Sequence, residues 1–239
     1  MIRINAGCGR TPTKGWRNFD NSLSLRLARI PILPDLLWKC GFLEDSQHQF
    51  IRFARENQIE YGDATKGLPI QDGSVDVLYS SHMLEHLDKN EATKFLKEAF
   101  RVVCPGGIIR IAVPDIKKQV AQYSESGDAD AFMETTHLCM SRPRSFAQWL
   151  GLLLVGPRNH QWMYDGNSLS RLLGAHGFVN AEVFPTGQTK IHLHEPLNLH
   201  ERASESVYVE AEKPSVFQET DCSATGTNRN PRARPSLSI

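Results

Sequence analysis

The sequence lacks several features that would announce a compartment or a chemistry. Its five cysteines (Cys8, Cys40, Cys104, Cys139 and Cys222) include no C-x-x-C pair and total an odd number. That pattern argues against a disulfide framework and for the reduced thiols of a cytoplasmic protein. Net charge is absent too, with Lys plus Arg and Asp plus Glu at 27 each, so no nucleic-acid partner is expected. No apolar run reaches the roughly 20 residues a membrane span requires; the longest, FAQWLGLLLVG, covers 146–156. A signal peptide is not expected either, because Met1 leads almost at once into a strand-like run.

What the sequence does contain is an alternation of short apolar runs with helical periodicity. Residues 2–6 (IRINA), 16–19 (WRNF), 59–64 (IEYGDA), 75–80 (VDVLYS) and 108–113 (IIRIAV) read as strands. The last two are nearly all apolar, as strands buried on both faces are. Between them, EATKFLKEAFRVV sets Ala92, Phe95, Leu96, Ala99, Phe100 and Val103 on one helical stripe. Asn90 is the expected cap of that helix and Pro105-Gly106-Gly107 its expected end. Strand, helix and strand at this spacing predict a parallel sheet with helices on its faces. A helix at 168–178 with Gly177 as its stop, then strands at 181–184 and 206–211, predict an antiparallel pair at one sheet edge. Residues 23–56 and 125–160 interrupt the alternation and read as insertions. From residue 213 to 239 the chain is rich in Ser, Thr, Asn, Pro and Arg and reads as a disordered tail.

The stretch INAGCGRTPTKGWRNFD (4–20) places Gly7 and Gly9 just after the first strand and Asp20 at the end of the second. Glycines there let the backbone approach a ligand in the crevice at the strand ends, although the same residues also close ordinary turns. A dinucleotide fingerprint needs a third glycine where Pro12 stands, and a phosphate-binding loop needs a G-K-[ST] that does not follow. S-adenosylmethionine carries no pyrophosphate and fits better. Asp20 is placed to accept from both hydroxyls of its ribose, Asp63 and Ala64 to meet its adenine, and Ser80 to lie near its sulfonium end. Asp20 follows Gly9 by only eleven positions, so the first crossover helix must be very short or missing.

With AGCG, GWRNFD, YGDATKGLPIQDGSVDVLYSSHMLEHL, EAFRVVCPGGIIRIAVPD, NHQWMYD and ESVYVEA in this order, the chain resembles the class I S-adenosylmethionine-dependent methyltransferases. It looks most like a bacterial branch often found among genes for cell-surface polysaccharides. The resemblance covers roughly residues 2–212. It implies an α/β, Rossmann-like class I methyltransferase fold: a mostly parallel twisted sheet with an antiparallel edge strand and helices on both faces. The methyltransferase domain would be 1–212, with insertions at about 23–56 and 125–160. Ala6, Gly7, Gly9, Asp20, Asp63 and Ala64 would line the cofactor pocket, with Ser80 at the methionine end, and the acceptor would be a small molecule or a saccharide.

Two stretches remain for the acceptor side. SSHMLEHL sets His82, Glu85 and His86 at i, i+3 and i+4, on one face if the segment is helical. The same letters spell the H-x-x-E-H pattern of a metalloprotease class, which makes a zinc hydrolase one alternative; a non-catalytic cofactor-binding scaffold is another. The expectation here is a site without metal. NHQWMYD supplies His160, Trp162 and Tyr164, with Trp162 and Met163 expected in the core and Asp165 in a turn. His82, His86 and His160 are the candidate bases, and Glu85, Trp162 and Tyr164 the candidate acceptor contacts. His192, His194 and His200 read as a solvated loop. The block at 142–158, with arginines at both ends, is a candidate for peripheral membrane contact.

Overall fold

Seven strands form one sheet in the order β3-β2-β1-β4-β5-β7-β6. They are β1 (Arg3–Ala6), β2 (Arg17–Asp20), β3 (Glu60–Tyr61), β4 (Val75–Ser81), β5 (Val103–Pro114), β6 (Val179–Phe184) and β7 (Ser206–Glu212). The computed structural model describes residues 1–139 and 159–215. The membrane-contact segment 142–158 and most of the expected tail therefore lie outside the described residues. Pairing is parallel from β3 through β5, and β7 runs antiparallel between β5 and β6. Because β1 sends neighbours to both sides, β2 and β4, the chain switches direction there. Open α/β sheets form their ligand crevice at such a point, beyond the strands' carboxyl ends.

The apolar runs behave as their composition requires. β4 has only Asp76 less than buried, and it is covered on both faces. One face packs Ile4, Phe19, Leu78, Ile109 and Ile111 against the stripe Ala92, Phe95, Leu96, Ala99 and Val102. That stripe belongs to α4 (Lys89–Val102). On the other face Val77, Tyr79, Ala112 and Tyr208 meet Ile191, Leu197 and Leu199, which come from the loop between β6 and β7. Arg110 of β5 is also wholly buried, opposite Glu210 of β7, and the two form an ion pair. Thr189 Oγ1 and the Lys190 N–H also donate to the Glu210 carboxylate, at 2.5 and 2.8 Å.

Several local expectations are corrected. The cap of α4 is Asp88, not Asn90: its carboxylate accepts from the Glu91 N–H at 2.8 Å, and Glu91 accepts from the Asp88 N–H at 3.2 Å. This reciprocal box satisfies two orphan donors at once, which Asn90, two residues further in, has no geometry to do. Pro105-Gly106-Gly107 does not end α4. The helix stops at Val102 and β5 starts at the next residue, the Pro-Gly-Gly lying in its irregular first part. The third strand is two residues long rather than six, since Asp63 begins a turn. Lys213, assigned to the tail, is instead fixed to β5: its N–H donates to Gly107 O at 2.9 Å and its carbonyl accepts from Gly106 N at 2.8 Å.

Residues 23–56 fold into α1 (Leu23–Ala28), α2 (Leu33–Lys39) and α3 (Asp45–Glu56). Arg55 of α3 ties them together by donating to Ala28 O at 2.9 Å and Ile30 O at 2.7 Å. After β5 come α5 (Ile116–Ser126) and α6 (Ala129–Thr136), and after the undescribed stretch α7 (Gly166–Ala175), capped by Asp165. No helix among the described residues is long and apolar enough to cross a membrane.

Candidate active site

No helix separates β1 from β2, as the short interval requires. The connecting chain folds back instead. Gly7 and Gly9 both take left-handed backbone, at φ +73° and +51°. The N–H groups of Gly7 and Cys8 donate to Phe19 O at 2.8 and 3.0 Å. The Gly9 N–H donates to Asp20 Oδ2 at 3.0 Å, and the Ser22 N–H to Oδ1 at 2.8 Å. Burial raises the Asp20 pKa above the ordinary carboxylate value, against these two backbone bonds. Each carboxylate oxygen holds one N–H and keeps a second acceptor site, so Asp20 has capacity for a diol.

The two glycines differ in their surroundings. A Cβ on Gly7 would stand 2.4 Å from Met83 Cγ, whereas one on Gly9 would meet nothing within 4 Å. Gly7 is therefore where the loop after β4 presses against the end of β1, and Gly9 faces open space. Ala6 is fully buried. Asp63 closes its own turn: Oδ1 accepts from Thr65 N at 3.0 Å and Thr65 Oγ1 at 2.7 Å, and Oδ2 pairs with Lys66 at 2.7 Å. Burial pulls its pKa up, but the bonds from Lys66 and Thr65 outweigh that and hold it below the ordinary value. Ala64 follows in the same turn and is nearly buried. Ser80 and Ser81, at the end of β4, each bury a hydroxyl that has no hydrogen-bond partner.

Beyond β4 the SSHMLEHL segment is not an α-helix. His82 has φ +48°, and only Leu84–His86 form a single 3₁₀ turn. The shared helical face expected for His82, Glu85 and His86 is thus replaced by a folded loop. His82 is held on both ring nitrogens, Nε2 by Ser206 Oγ at 2.8 Å and Nδ1 by Arg202 Nη1 at 3.1 Å. Its Nδ1 also lies 3.3 Å from Glu85 Oε1.

The NHQWMYD segment returns onto this loop. The Gln161 and Trp162 N–H groups both donate to Glu85 O, at 2.7 and 3.2 Å. The His86 and His160 rings meet edge to face with centroids 5.0 Å apart. His160 is buried, and desolvation lowers its pKa below the ordinary histidine value, against the opposing pull of Glu85. Tyr164 is buried in the core, its phenol pushed up to about 12 by desolvation and by Glu85. Trp162 is not a core residue: it is 42% exposed, with Lys89 Nζ 4.0 Å from its ring centre. Asp165 does more than turn the chain, since it caps α7 by accepting from Ser168 N at 2.6 Å. His192 and His200 lie exposed in a loop with His194 between them, as expected.

His137, Arg202, Ser206 and Met83 complete these surroundings, and none was identified from sequence. Arg202 and Ser206 lie 120 and 124 residues from His82, a separation no local pattern spans. A cleft of about 590 Å³ at the amino ends of β2 and β3, lined by Lys14, Trp16, Arg17, Glu56 and Glu60 among others, lies at the end of the sheet away from these groups.

Residues 43–111 match the model of a methyltransferase-domain family. No curated protein matches the chain. Among solved structures, an S-adenosylmethionine-dependent methyltransferase of Thermotoga maritima is 15% identical, over 89% of this chain and 81% of that one, with a TM-score of 0.49. One from Methanosarcina mazei is 14% identical, over 90% of this chain and 92% of that one, also at 0.49. A phosphoethanolamine N-methyltransferase of Haemonchus contortus, in complex with S-adenosylmethionine, is 12% identical over 90% of this chain and 49% of that one, with a TM-score of 0.44. The mixed seven-stranded sheet is a Rossmann-like α/β arrangement, and the methyltransferase-domain match covers residues 43–111 of it.

Proposed function

We propose that this chain is an S-adenosylmethionine-dependent methyltransferase that acts on a small, hydroxyl-bearing, saccharide-like acceptor, and that its domain spans residues 1–212. The observation that carries the reading is the bond from Gly9 N to Asp20 Oδ2, which brings the glycine loop and a carboxylate with spare acceptor capacity together at the switch point. The buried, unpartnered hydroxyl of Ser80 beside this point adds a group that a ligand would satisfy. In this reading Asp20 takes the ribose, Asp63 and Ala64 the adenine, and Ala6, Gly7, Gly9 and Ser80 the methionine end. The four cysteines among the described residues are free, which supports a cytoplasmic setting.

The cofactor supplies a methyl group already activated on a sulfonium, whose C–S bond breaks with its electron pair passing to sulfur as the acceptor oxygen bonds to the methyl carbon. The protein's share is to hold the acceptor in line and to take its proton. Glu85, His86 and His160 gather where the acceptor side is expected, and exposed Trp162 offers a flat apolar face to a sugar ring. His82, His86 and His160 are the groups from which the base is drawn.

Calorimetric titration with S-adenosylmethionine and S-adenosylhomocysteine, with NAD as control, tests the cofactor half of this reading. Binding of both sulfur ligands and not of NAD is expected, and no binding of either would end it. A screen of sugars and sugar nucleotides for S-adenosylhomocysteine release then tests the acceptor class.

A further inference from the structure

Glu85 stands out among the buried polar groups. Its side chain is 1% exposed, neither carboxyl oxygen has a hydrogen-bond partner, and His82 Nδ1 stands 3.3 Å from Oε1. Buried carboxyl groups are ordinarily paired, hydrogen-bonded or bound to a metal. What surrounds this one is imidazole. One donor atom each from Glu85, His86 and His160 lies within 4.8 Å of the other two. From this we infer that Glu85, His86 and His160 bind a divalent transition-metal ion, and that the ion holds an oxygen of the methyl acceptor. The second half rests on the proposed function; the first does not.

The donor set is specific. Two imidazole nitrogens and one carboxylate suit zinc, cobalt(II), iron(II) or manganese(II), whereas magnesium and calcium favour oxygen donors. The surroundings also match a ligating set. His86 Nδ1 lies 3.3 Å from the Asn159 carbonyl oxygen, which leaves Nε2 free to bind an ion while the carbonyl fixes the ring. His160 Nδ1 is buried and has no partner, so it is available to an ion. The two donor segments are pinned to each other by the Gln161 and Trp162 N–H groups on Glu85 O. Tetrahedral binding at about 2.1 Å sets ligand atoms roughly 3.4 Å apart. Loading therefore draws the three donors inward by at most about an ångström.

Three protein ligands leave a coordination position open, the arrangement of catalytic rather than structural metal sites. His86 is only partly buried, so that position is accessible. An acceptor hydroxyl bound there loses its proton to solvent more readily. Its oxygen then bonds to the methyl carbon while the C–S electron pair goes to sulfur. With His86 and His160 as ligands, His82 is the one that remains of the three candidate bases. Of the H-x-x-E-H letters only Glu85 and His86 take part, and His160 comes from the NHQWMYD segment.

The test uses tag-free, full-length protein stripped with a chelator and titrated separately with zinc, cobalt and magnesium ions. Expected are one zinc or cobalt ion per chain at micromolar dissociation constant or tighter, visible cobalt absorption bands, and magnesium at least 100-fold weaker. Glu85→Gln and His160→Ala should each weaken zinc at least 100-fold, and His192→Ala in the exposed loop should not. Less than half an ion per chain, or zinc affinity unchanged in both site variants, overturns the proposal. Each protein is also titrated with S-adenosylhomocysteine, so a variant that binds it is folded and its lost metal is a lost site. His86→Ala, the least buried of the three, replaces any variant that does not fold. If the wild-type chain binds metal but not S-adenosylhomocysteine, the methyltransferase reading fails and the metal site stands. Binding of S-adenosylhomocysteine without metal has the opposite meaning.

Discussion

The backbone N–H of Gly9 and the carboxylate of Asp20 are 3.0 Å apart, so the ends of two adjacent parallel strands are joined by a bond between a loop and a side chain. This bond makes the glycine loop and the proposed ribose acceptor one unit. Asp20→Ala should weaken S-adenosylhomocysteine binding by about 2 kcal/mol, the scale of charge-assisted hydrogen bonds. The pH dependence has a definite sign. Burial raises the Asp20 pKa, and only the ionised carboxylate accepts from both hydroxyls. Affinity should therefore fall as pH is lowered, beginning above the ordinary carboxylate range. Calorimetry across pH should show this slope in the wild type and lose it in Asp20→Ala; a wild type without it removes Asp20 from the ribose.

Gly7 and Gly9 should respond differently to alanine. Both pay the cost of a left-handed backbone for an L-residue, about 1–2 kcal/mol. Only at Gly7 does the new methyl overlap a neighbour, Met83 Cγ at 2.4 Å. In urea unfolding, Gly7→Ala should be the more destabilising change, and in a Met83→Ala background its effect should shrink but stay above that of Gly9→Ala, because Met83 Cβ still stands 2.8 Å from the new methyl. Equal effects in the wild-type background would mean that Met83 yields freely.

Arg110 and Glu210 form a fully buried pair across β5 and β7. Removing one partner strands the other charge, so Glu210→Ala should cost about 3–5 kcal/mol. The double change Arg110→Met with Glu210→Leu should cost much less than two single changes summed. Thermal unfolding of the three variants measures the coupling directly.

At the start of α4, Asp88→Ala should cost about 1 kcal/mol, the usual loss for a side-chain cap. Asn90→Ala should leave stability nearly unchanged, because Asn90 caps nothing. Reversed effects in chemical denaturation would restore Asn90 as the cap.

Much of the sheet was legible because strands buried on both faces have almost no freedom in composition. VDVLYS and IIRIAV announce themselves, and the stripe from Ala92 to Val103 announces the helix between them. Caps were harder to read. Asp88 and Asn90 are both capping residues, and only the reciprocal bond with Glu91 separates them. The H-x-x-E-H letters were read as a helical face because their spacing fits one. The backbone instead takes a left-handed residue at His82, since its N–H is drawn to Ala112 O at 2.9 Å on the neighbouring strand. Trp162 looked like core by hydropathy alone, yet the chain pins its backbone to Glu85 and leaves the ring outside.

The sequence by itself determined the α/β alternation, a first crossover that is very short or missing, and the positions of Gly7, Gly9 and Asp20, because these depend on local spacing and on burial along a strand. Tertiary structure alone decided that His160 meets Glu85 and His86, that Arg202 and Ser206 hold His82, and that Met83 fills the space beside Gly7. Those contacts join residues up to 124 positions apart. No periodicity extends that far; only the order of strands in the sheet brings such residues together.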